Sequence, residues 1–489
     1  MLGLIRSLKN TFVLVNRTPS EILTLIPDYW EDDEREKYSI GLTHVCRGWR
    51  ELFSSRSSLW TRLDCKRVDK TRAYIERSKS APLEMRFRDH PSLRCCKEAL
   101  LLAVPHIGRL KALTVSAGDE ATTQVLIEHF SRPLPLLRTL MIDLRHDSTP
   151  TLPGTLFGGD LSSLRVLSLA GALMPLSWRG LGNLTTFNLF YIPGEKILLT
   201  HLLDLFESAS RLRHIYLHRS IPNSSDVPPE RLVPLPYLKE LKIVARPAHS
   251  ILLNHLSIPS GALVDLAFTF NGASFPIQTH IPETLDNFRN LSHVTAVNLC
   301  FGPDQRALQL DGPSGELYAL GTWVRESAEP HAGATRLLHA LTRFDTSRCQ
   351  WLSVTQYVSR PGSSAIVAAR PIYQLLLLMR DLQTLTLIHS CSLPFIFALN
   401  PNKNSSGTIT CPKLEEIIFY VRRPNLFYID QLLSMVEERA LRGAKFSAIT
   451  IVSTDALAPT KEVFQLRKHV SCVECKFDDA PPEWDALPS

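Results

Sequence analysis

Between Leu110 and Ile451 one short word keeps returning: an apolar residue, two of any kind, an apolar residue, one of any kind, an apolar residue. It reads Leu110, Leu113, Val115; Leu137, Leu140, Ile142; Leu164, Leu167, Leu169; Leu184, Phe187, Leu189; Leu212, Ile215, Leu217; Leu238, Leu241, Ile243; Leu263, Leu266, Phe268; and Val294, Val297, Leu299. It resumes as Cys349, Leu352, Val354; Leu382, Leu385, Leu387; Leu414, Ile417, Phe419; and Phe446, Ile449, Ile451. Counted from Pro82, the first positions through Val294 are spaced by 28, 27, 27, 20, 28, 26, 25 and 31 residues. The fourth and sixth positions share one face of a short strand, because strand side chains alternate. One such strand buries nothing by itself, whereas neighbours stacked side by side bury a common core.

Between the words lie helix-compatible stretches. Thr122 to Phe130, His201 to Ser208 and Asp430 to Leu441 carry apolar residues at helical spacing, and Asp430 suits an N-cap. The step from Val294 to Cys349 is 55 residues, about two periods, and holds two alternating segments around Asp311-Gly-Pro-Ser-Gly315, which predicts a hairpin in place of a regular repeat. Ile221 to Glu230 and Asn400 to Gly407 read as loops. The period and the word resemble leucine-rich repeats. Residues from about 82 onward are therefore expected to form a curved sheet of short parallel strands with helices or loops on the convex side. Ala172, Ser220 and Ser390 stand where such repeats usually carry asparagine, so the repeats should be irregular.

Alternation turns positions three, five and seven of each word away from the core, where a partner is read. In the middle of the stack this selects Asn188, Phe190, His214, Tyr216, His218, Glu240 and Lys242 as target-binding candidates. Aromatic side chains outside a core are the type that anchors interfaces. A solvated face with stray aromatics is the alternative.

Arg17 to Asp64 has a different pattern. Pro19 sits where a first helical turn tolerates a missing N–H, behind Thr18 as a cap, and Ile22, Leu23 and Ile26 share a face. Leu42, Val45, Cys46 and Trp49 follow at the spacing of a second helix, after the acidic run Glu31 to Glu36, a solvated turn or helix start. So short a stretch cannot bury all of these together with Leu59 and Trp60, so part of the set should face a partner. The words Pro19-Ser-Glu-Ile-Leu23, Leu42-x-x-Val-Cys-x-x-Trp49 and Leu59-Trp60 resemble an F-box, and with His44 and the later Glu76-Arg-Ser-x-x-x-Pro-Leu83 they are similar to F-box proteins abundant in mushroom-forming fungi. Thr18 stands where the family usually has leucine. The resemblance implies that Pro19, Ile22, Leu23, Ile26, Leu42, Val45, Cys46, Trp49, Leu59 and Trp60 hold a Skp-type adaptor, and through it a cullin. The whole chain is then α/β: an N-terminal helical F-box, then an irregular leucine-rich-repeat solenoid with a curved parallel sheet. The expected divisions are a tail at 1–16, the F-box at 17–64, linker helices and a first repeat at 65–109, repeats at 110–479 and a tail at 480–489.

The 489 residues are 44% apolar and 21% charged, which are globular values for more than one compact core. Fifty-four basic against 48 acidic residues, without a basic cluster, argue against nucleic-acid binding. Ten scattered cysteines suit reduced thiols, and no window reaches a spanning length, so an intracellular protein, cytoplasmic or nuclear, is expected, with no membrane partner. A transit peptide is the alternative reading of the basic residues 1–16. The triplets at Asn183 and Asn223 read as chance matches to a glycosylation site. Phosphate-loop, nucleophile-elbow and zinc-helix words do not occur, so neither catalysis nor a cofactor is expected. Cys472-Val-Glu-Cys475 lacks a second ligand pair and is assigned to the last strand, and His201, His214 and His218 to polar surface and not to a metal. The reading is a substrate-recognition subunit of an SCF-type cullin ubiquitin ligase. The alternative is a binding scaffold that uses the F-box without ubiquitinating a target.

Overall fold

The computed structural model describes residues 13–29, 32–65, 67–87, 93–117, 128–144, 149–175, 179–222, 225–244, 249–270, 281–282, 285–301, 305–313, 315–324, 330–356, 369–389, 392–404, 407–421, 428–453 and 461–477. The fold is α/β, with seventeen mostly parallel strands in its main pairing system. Two compact units divide it: residues 1–193 with 208–212, and residues 194–207 with 213–489.

In the first unit, three short helices, α1 (Ser20–Leu25), α2 (Asp32–Thr43) and α3 (Arg47–Ser55), precede the strands β1 (Arg62–Asp64), β2 (Leu83–Phe87), β3 (Leu110–Ala117), β4 (Thr139–Leu144), β5 (Val166–Ala170) and β6 (Thr186–Phe190). Each pairs in parallel with the next. The ladder runs Leu63, Met85, Leu113, Leu140, Leu167, Phe187 in one line, all fourth positions of the word or its equivalents. All six are buried, as is the next line outward, Phe87, Val115, Ile142, Leu169 and Leu189. Expected from residue 82, the sheet starts twenty residues earlier: Arg62–Asp64 is a strand and not the end of the helical module. The short 20-residue step after β5 is made by Gly171, whose φ of +64° and N–H to the Phe190 carbonyl (3.0 Å) turn the chain so tightly that a Cβ would stand 2.0 Å from the Leu144 carbonyl oxygen.

In the second unit β7 (His214–His218), β8 (Glu240–Val244) and β9 (Leu263–Phe270) are parallel. The seventh word departs from its sequence register. Val264 lies opposite Leu241 and Leu266 opposite Ile243, so Val264 and Leu266, not Leu266 and Phe268, fill the fourth and sixth places. A two-residue slip keeps the same face inward, so side-chain alternation cannot detect it.

The strands β10 (Ala296–Phe301), β11 (Gln305–Gly312) and β12 (Gly315–Val324) follow. The hairpin expected around Asp311 to Gly315 is present as the antiparallel pair β11–β12, with Gly315 at φ +123°. Its place in the sheet is not the one chain order suggests. β12 pairs in parallel with β9, and β11 pairs antiparallel with β10, so the hairpin lies between two strands that precede it in the chain. From β10 the parallel ladder resumes through β13 (Trp351–Gln356), β14 (Thr384–His389), β15 (Glu416–Val421), β16 (Ala448–Ser453) and β17 (Cys472–Phe477). Val297, Leu352, Leu385, Ile417, Ile449 and Val473 form its core line.

Helices Ala369–Leu378, Ser392–Leu399, Ile429–Leu441 and Lys461–Leu466 pack one on the next in this unit. The helix expected at His201–Ser208 runs from Leu199 to Ser208 and buries Leu202, Leu203, Leu205 and Phe206. The one expected at Asp430 starts a residue earlier, with Tyr428 and not Asp430 at its N-cap. Arg439 on that helix is fully buried, donates to the carbonyls of Thr410 (2.7 Å) and Cys411 (3.0 Å), and lies 5.0 Å from the Phe446 ring. Burial lowers its pKa to about 10, which leaves it charged at neutral pH. The expected helix at Thr122–Phe130 falls mostly outside the described residues, as do most of the 1–16 tail and all of the 480–489 tail.

Three core thiols are expected to make the fold alkali-sensitive. Burial pushes Cys300, Cys349 and Cys411 up from 9.0 to about 12. A thiol that ionises at about 9 when unfolded but near 12 when folded favours the native state fully below pH 9 and loses that advantage as pH rises through 12. The expected slope in that window is about 1.4 kcal/mol per pH unit for each thiol. Urea midpoints taken at pH 8 and pH 10 should fall accordingly, and Cys411→Ala should flatten the dependence.

Candidate functional site

The N-terminal module is built from short helices because its sequence interrupts itself. Pro19 is the N-cap of α1 and not part of its first turn, and its carbonyl accepts the N–H groups of Ile22 and Leu23, each at 3.1 Å. Thr18 does not serve as the cap. Leu42, Val45, Cys46 and Trp49 do not share one helix as their spacing suggested. α2 ends at Thr43, and Cys46, in extended conformation, starts α3 by accepting the Trp49 N–H on its sulfur at 3.5 Å. A side chain that satisfies an orphan amide at a helix start competes with continuation of the preceding helix.

Burial sorts the ten adaptor candidates. Leu23, Leu42, Leu59 and Trp60 are buried in the module's own core. Trp60 is the centre of that core: its indole N–H donates to the Phe53 carbonyl (2.9 Å), the Tyr74 ring stands edge-on at 5.0 Å, and the Arg77 guanidinium lies 4.5 Å from its ring. Cys46 and Trp49 are half-buried. Pro19, Ile22, Ile26 and Val45 are exposed. Leu25 and Tyr29 are exposed as well, Tyr29 at 87%, and the sequence reading missed both. The signal was present: Ile22, Leu25, Ile26 and Tyr29 have the i, i+3, i+4, i+7 spacing of a helical stripe, but this stripe faces out. Large apolar side chains grouped in water are the informative exception among surface residues.

The seven target candidates fall in both units. Asn188 and Phe190, on β6 of the first, are half-buried on the face opposite Phe187 and Leu189, beside Ser168 and Ala170 of β5. In the second unit, β7, β8 and β9 bring the others together. His214 Nδ1 is 3.5 Å from Glu240 Oε2. Lys242 Nζ is 3.1 Å from Asp265 Oδ2 and 5.8 Å from the Tyr216 ring, which lies 6.1 Å from His218. Burial, then the neighbouring Arg219 charge, holds His218 below the usual imidazole range, so it is neutral at pH 7. Glu240 and Lys242 thus each lie beside a different neighbour, His214 and Asp265 respectively. Asp265 was not among the candidates, which were taken from the words before it; β9 sets it directly opposite Lys242.

The open face is interrupted along the sheet. On β10, β13, β14 and β16 Asn298, Cys300, Ser353, Thr355, Thr386, Ile388 and Val452 at these positions are buried, whereas Glu416, Ile418 and Tyr420 on β15 are half-buried and Glu474 and Lys476 on β17 are exposed. Asp311 accepts hydrogen bonds from Asn298 and Gln309, each at 2.9 Å, and the Trp351 indole donates to Thr386 (3.2 Å).

Cys472 and Cys475 are exposed on β17, the last described strand. Among the described residues no three of His, Cys, Asp and Glu gather where a metal ion could be held. No helix among them is long and apolar enough to cross a membrane. No protein-family model matches the chain, nor does any of the curated proteins compared with it.

Proposed function

We propose that the α1–α3 module is an F-box that holds a Skp-type adaptor, that the repeated strands are irregular leucine-rich repeats, and that the chain is the substrate-recognition subunit of an SCF-type cullin ubiquitin ligase. The observation that carries the reading is the outward apolar stripe of Ile22, Leu25, Ile26 and Tyr29 with Val45, seated on a module whose own core of Leu23, Leu42, Phe53, Leu59 and Trp60 is already closed. Apolar surface left over after a core is complete is what a permanent partner covers. The fungal F-box wording of the sequence supplies the identity of that partner. The test is whether an adaptor and a cullin co-purify with the chain; an adaptor without a cullin would favour the scaffold reading.

Target capture is assigned to the open strand face, with Asn188 and Phe190 in the first unit and the Tyr216 cluster in the second. Tyr216 has the Lys242 ammonium 5.8 Å from its ring, with the Lys242–Asp265 ion pair and the His214–Glu240 contact beside it, the mixture of aromatic anchor and polar surroundings that concentrates binding energy. Tyr216→Ala combined with Glu240→Lys leaves the Lys242–Asp265 pair in place. It should weaken capture of cellular targets by about tenfold or more while adaptor binding stays at wild-type strength. Quantitative pull-down with both readouts checks this, and full target capture by the variant would move the target surface elsewhere.

A further inference from the structure

We propose that the chain self-associates through the outer edge of β17, pairing with the same strand of a second copy about a two-fold axis at Cys475. Among the described residues β17 pairs only with β16, so its other edge carries backbone groups that face no strand. Which groups these are follows from the ladder. The Cys472 N–H donates to the Ser447 carbonyl at 3.0 Å, so in a parallel ladder Cys472, Glu474 and Lys476 direct their backbone groups toward β16. Val473, Cys475 and Phe477 direct theirs outward.

An edge of this kind is a template for a further strand. A two-fold axis requires an antiparallel partner and a self-complementary surface. With the axis at Cys475, every outward residue finds a match: Cys475 meets Cys475 of the second copy, and Val473 meets Phe477 in both directions. These are the hydrogen-bonded pairs, and together they make about six backbone bonds. No other centre uses all three outward residues. Glu474 then falls opposite Lys476 twice, in the closer non-hydrogen-bonded pairs where opposite charges stabilise. The two already form an ion pair within the strand at 2.6 Å on one face, and both side chains are exposed enough to turn to a partner. Phe477, 61% exposed at the strand end, would be covered by Val473 of the second copy. Charge, apolar match and hydrogen-bond phase thus agree on one register. An edge this short sets the affinity in the micromolar range.

The test is sedimentation equilibrium of the full chain from about 1 to 100 µM, which spans that range. A monomer–dimer equilibrium is expected. Cys475→Pro removes an outward N–H without touching the β16 ladder, and should raise the dimer dissociation constant at least tenfold with an unchanged melting temperature. Glu474→Lys places like charges opposite each other on both sides of the axis and should weaken the dimer. Adding Lys476→Glu should restore it, a rescue that a merely structural role for Glu474 does not give. A short bis-maleimide should link two copies in the wild type and not in Cys475→Ser. A monomer throughout the range, whether because residues 478–489 or another protein covers the edge, overturns the proposal. So does a dimer indifferent to both Cys475→Pro and Glu474→Lys.

Discussion

Trp60→Ala is expected to lower the unfolding free energy of the first unit by about 3 to 5 kcal/mol, the range for removing a fully buried large aromatic. Three losses combine. The cavity forms where Phe53, Tyr74 and Arg77 now contact the indole. The Phe53 carbonyl loses its donor, which costs more than the bond itself contributes because the group stays buried. The edge-on contact with Tyr74, whose phenol burial raises to about 12, disappears as well. Trp60→Phe keeps an aromatic ring of smaller size and loses the hydrogen bond, and should cost less than the alanine variant, about 1 to 3 kcal/mol. Denaturation followed by tryptophan-independent circular dichroism distinguishes the two. A loss under 1 kcal/mol for the alanine variant would mean that the indole is not the centre of this core.

Ile22→Asp with Ile26→Asp should abolish capture of a Skp-type adaptor while the melting temperature stays within a few degrees of wild type. Both residues are exposed in the free chain, at 53% and 36%, so a carboxylate there keeps its access to water and costs the fold little. In a complex the same carboxylates would be desolvated against an apolar surface without a counter-charge, at several kcal/mol each. The combined effect is a loss of affinity of at least about a hundredfold. Leu23→Ala is the control with the opposite signature: Leu23 is only 5% exposed, so it should lower stability first, and binding only as a consequence. Isothermal titration against purified adaptor, beside thermal melts of the three variants, checks the separation. Full affinity in the double aspartate variant would remove the adaptor assignment from this stripe.

The amphipathic reading of α1 shows where sequence patterns stop being informative. Ile22, Leu25, Ile26 and Tyr29 have core spacing, yet they point outward, while Leu23, one residue off the stripe, is buried. Periodicity says that a helix has an apolar face and says nothing of what covers it. The break between α2 and α3 was hidden for a similar reason. A cysteine cap is not among the residues that ordinarily signal a helix start, so Leu42 to Trp49 looked continuous.

What the sequence determined by itself was the inward face of nearly every strand, together with the hairpin at Asp311 to Gly315. Both depend on contacts within a few residues: alternation along an extended chain, and turn residues that tolerate positive φ. Only the tertiary structure decided which strands became neighbours and in what phase. It placed β11 and β12 between β9 and β10, moved the seventh word by two residues, and so set Asp265 against Lys242. It also added Arg62–Asp64 to the sheet and buried the face opposite the core line on β10, β13, β14 and β16 while leaving it half-buried on β7, β8 and β15. The physical reason is that a strand's faces are fixed by its own backbone, whereas its register is fixed by hydrogen bonds to segments distant in sequence. A two-residue slip changes every partner and no face.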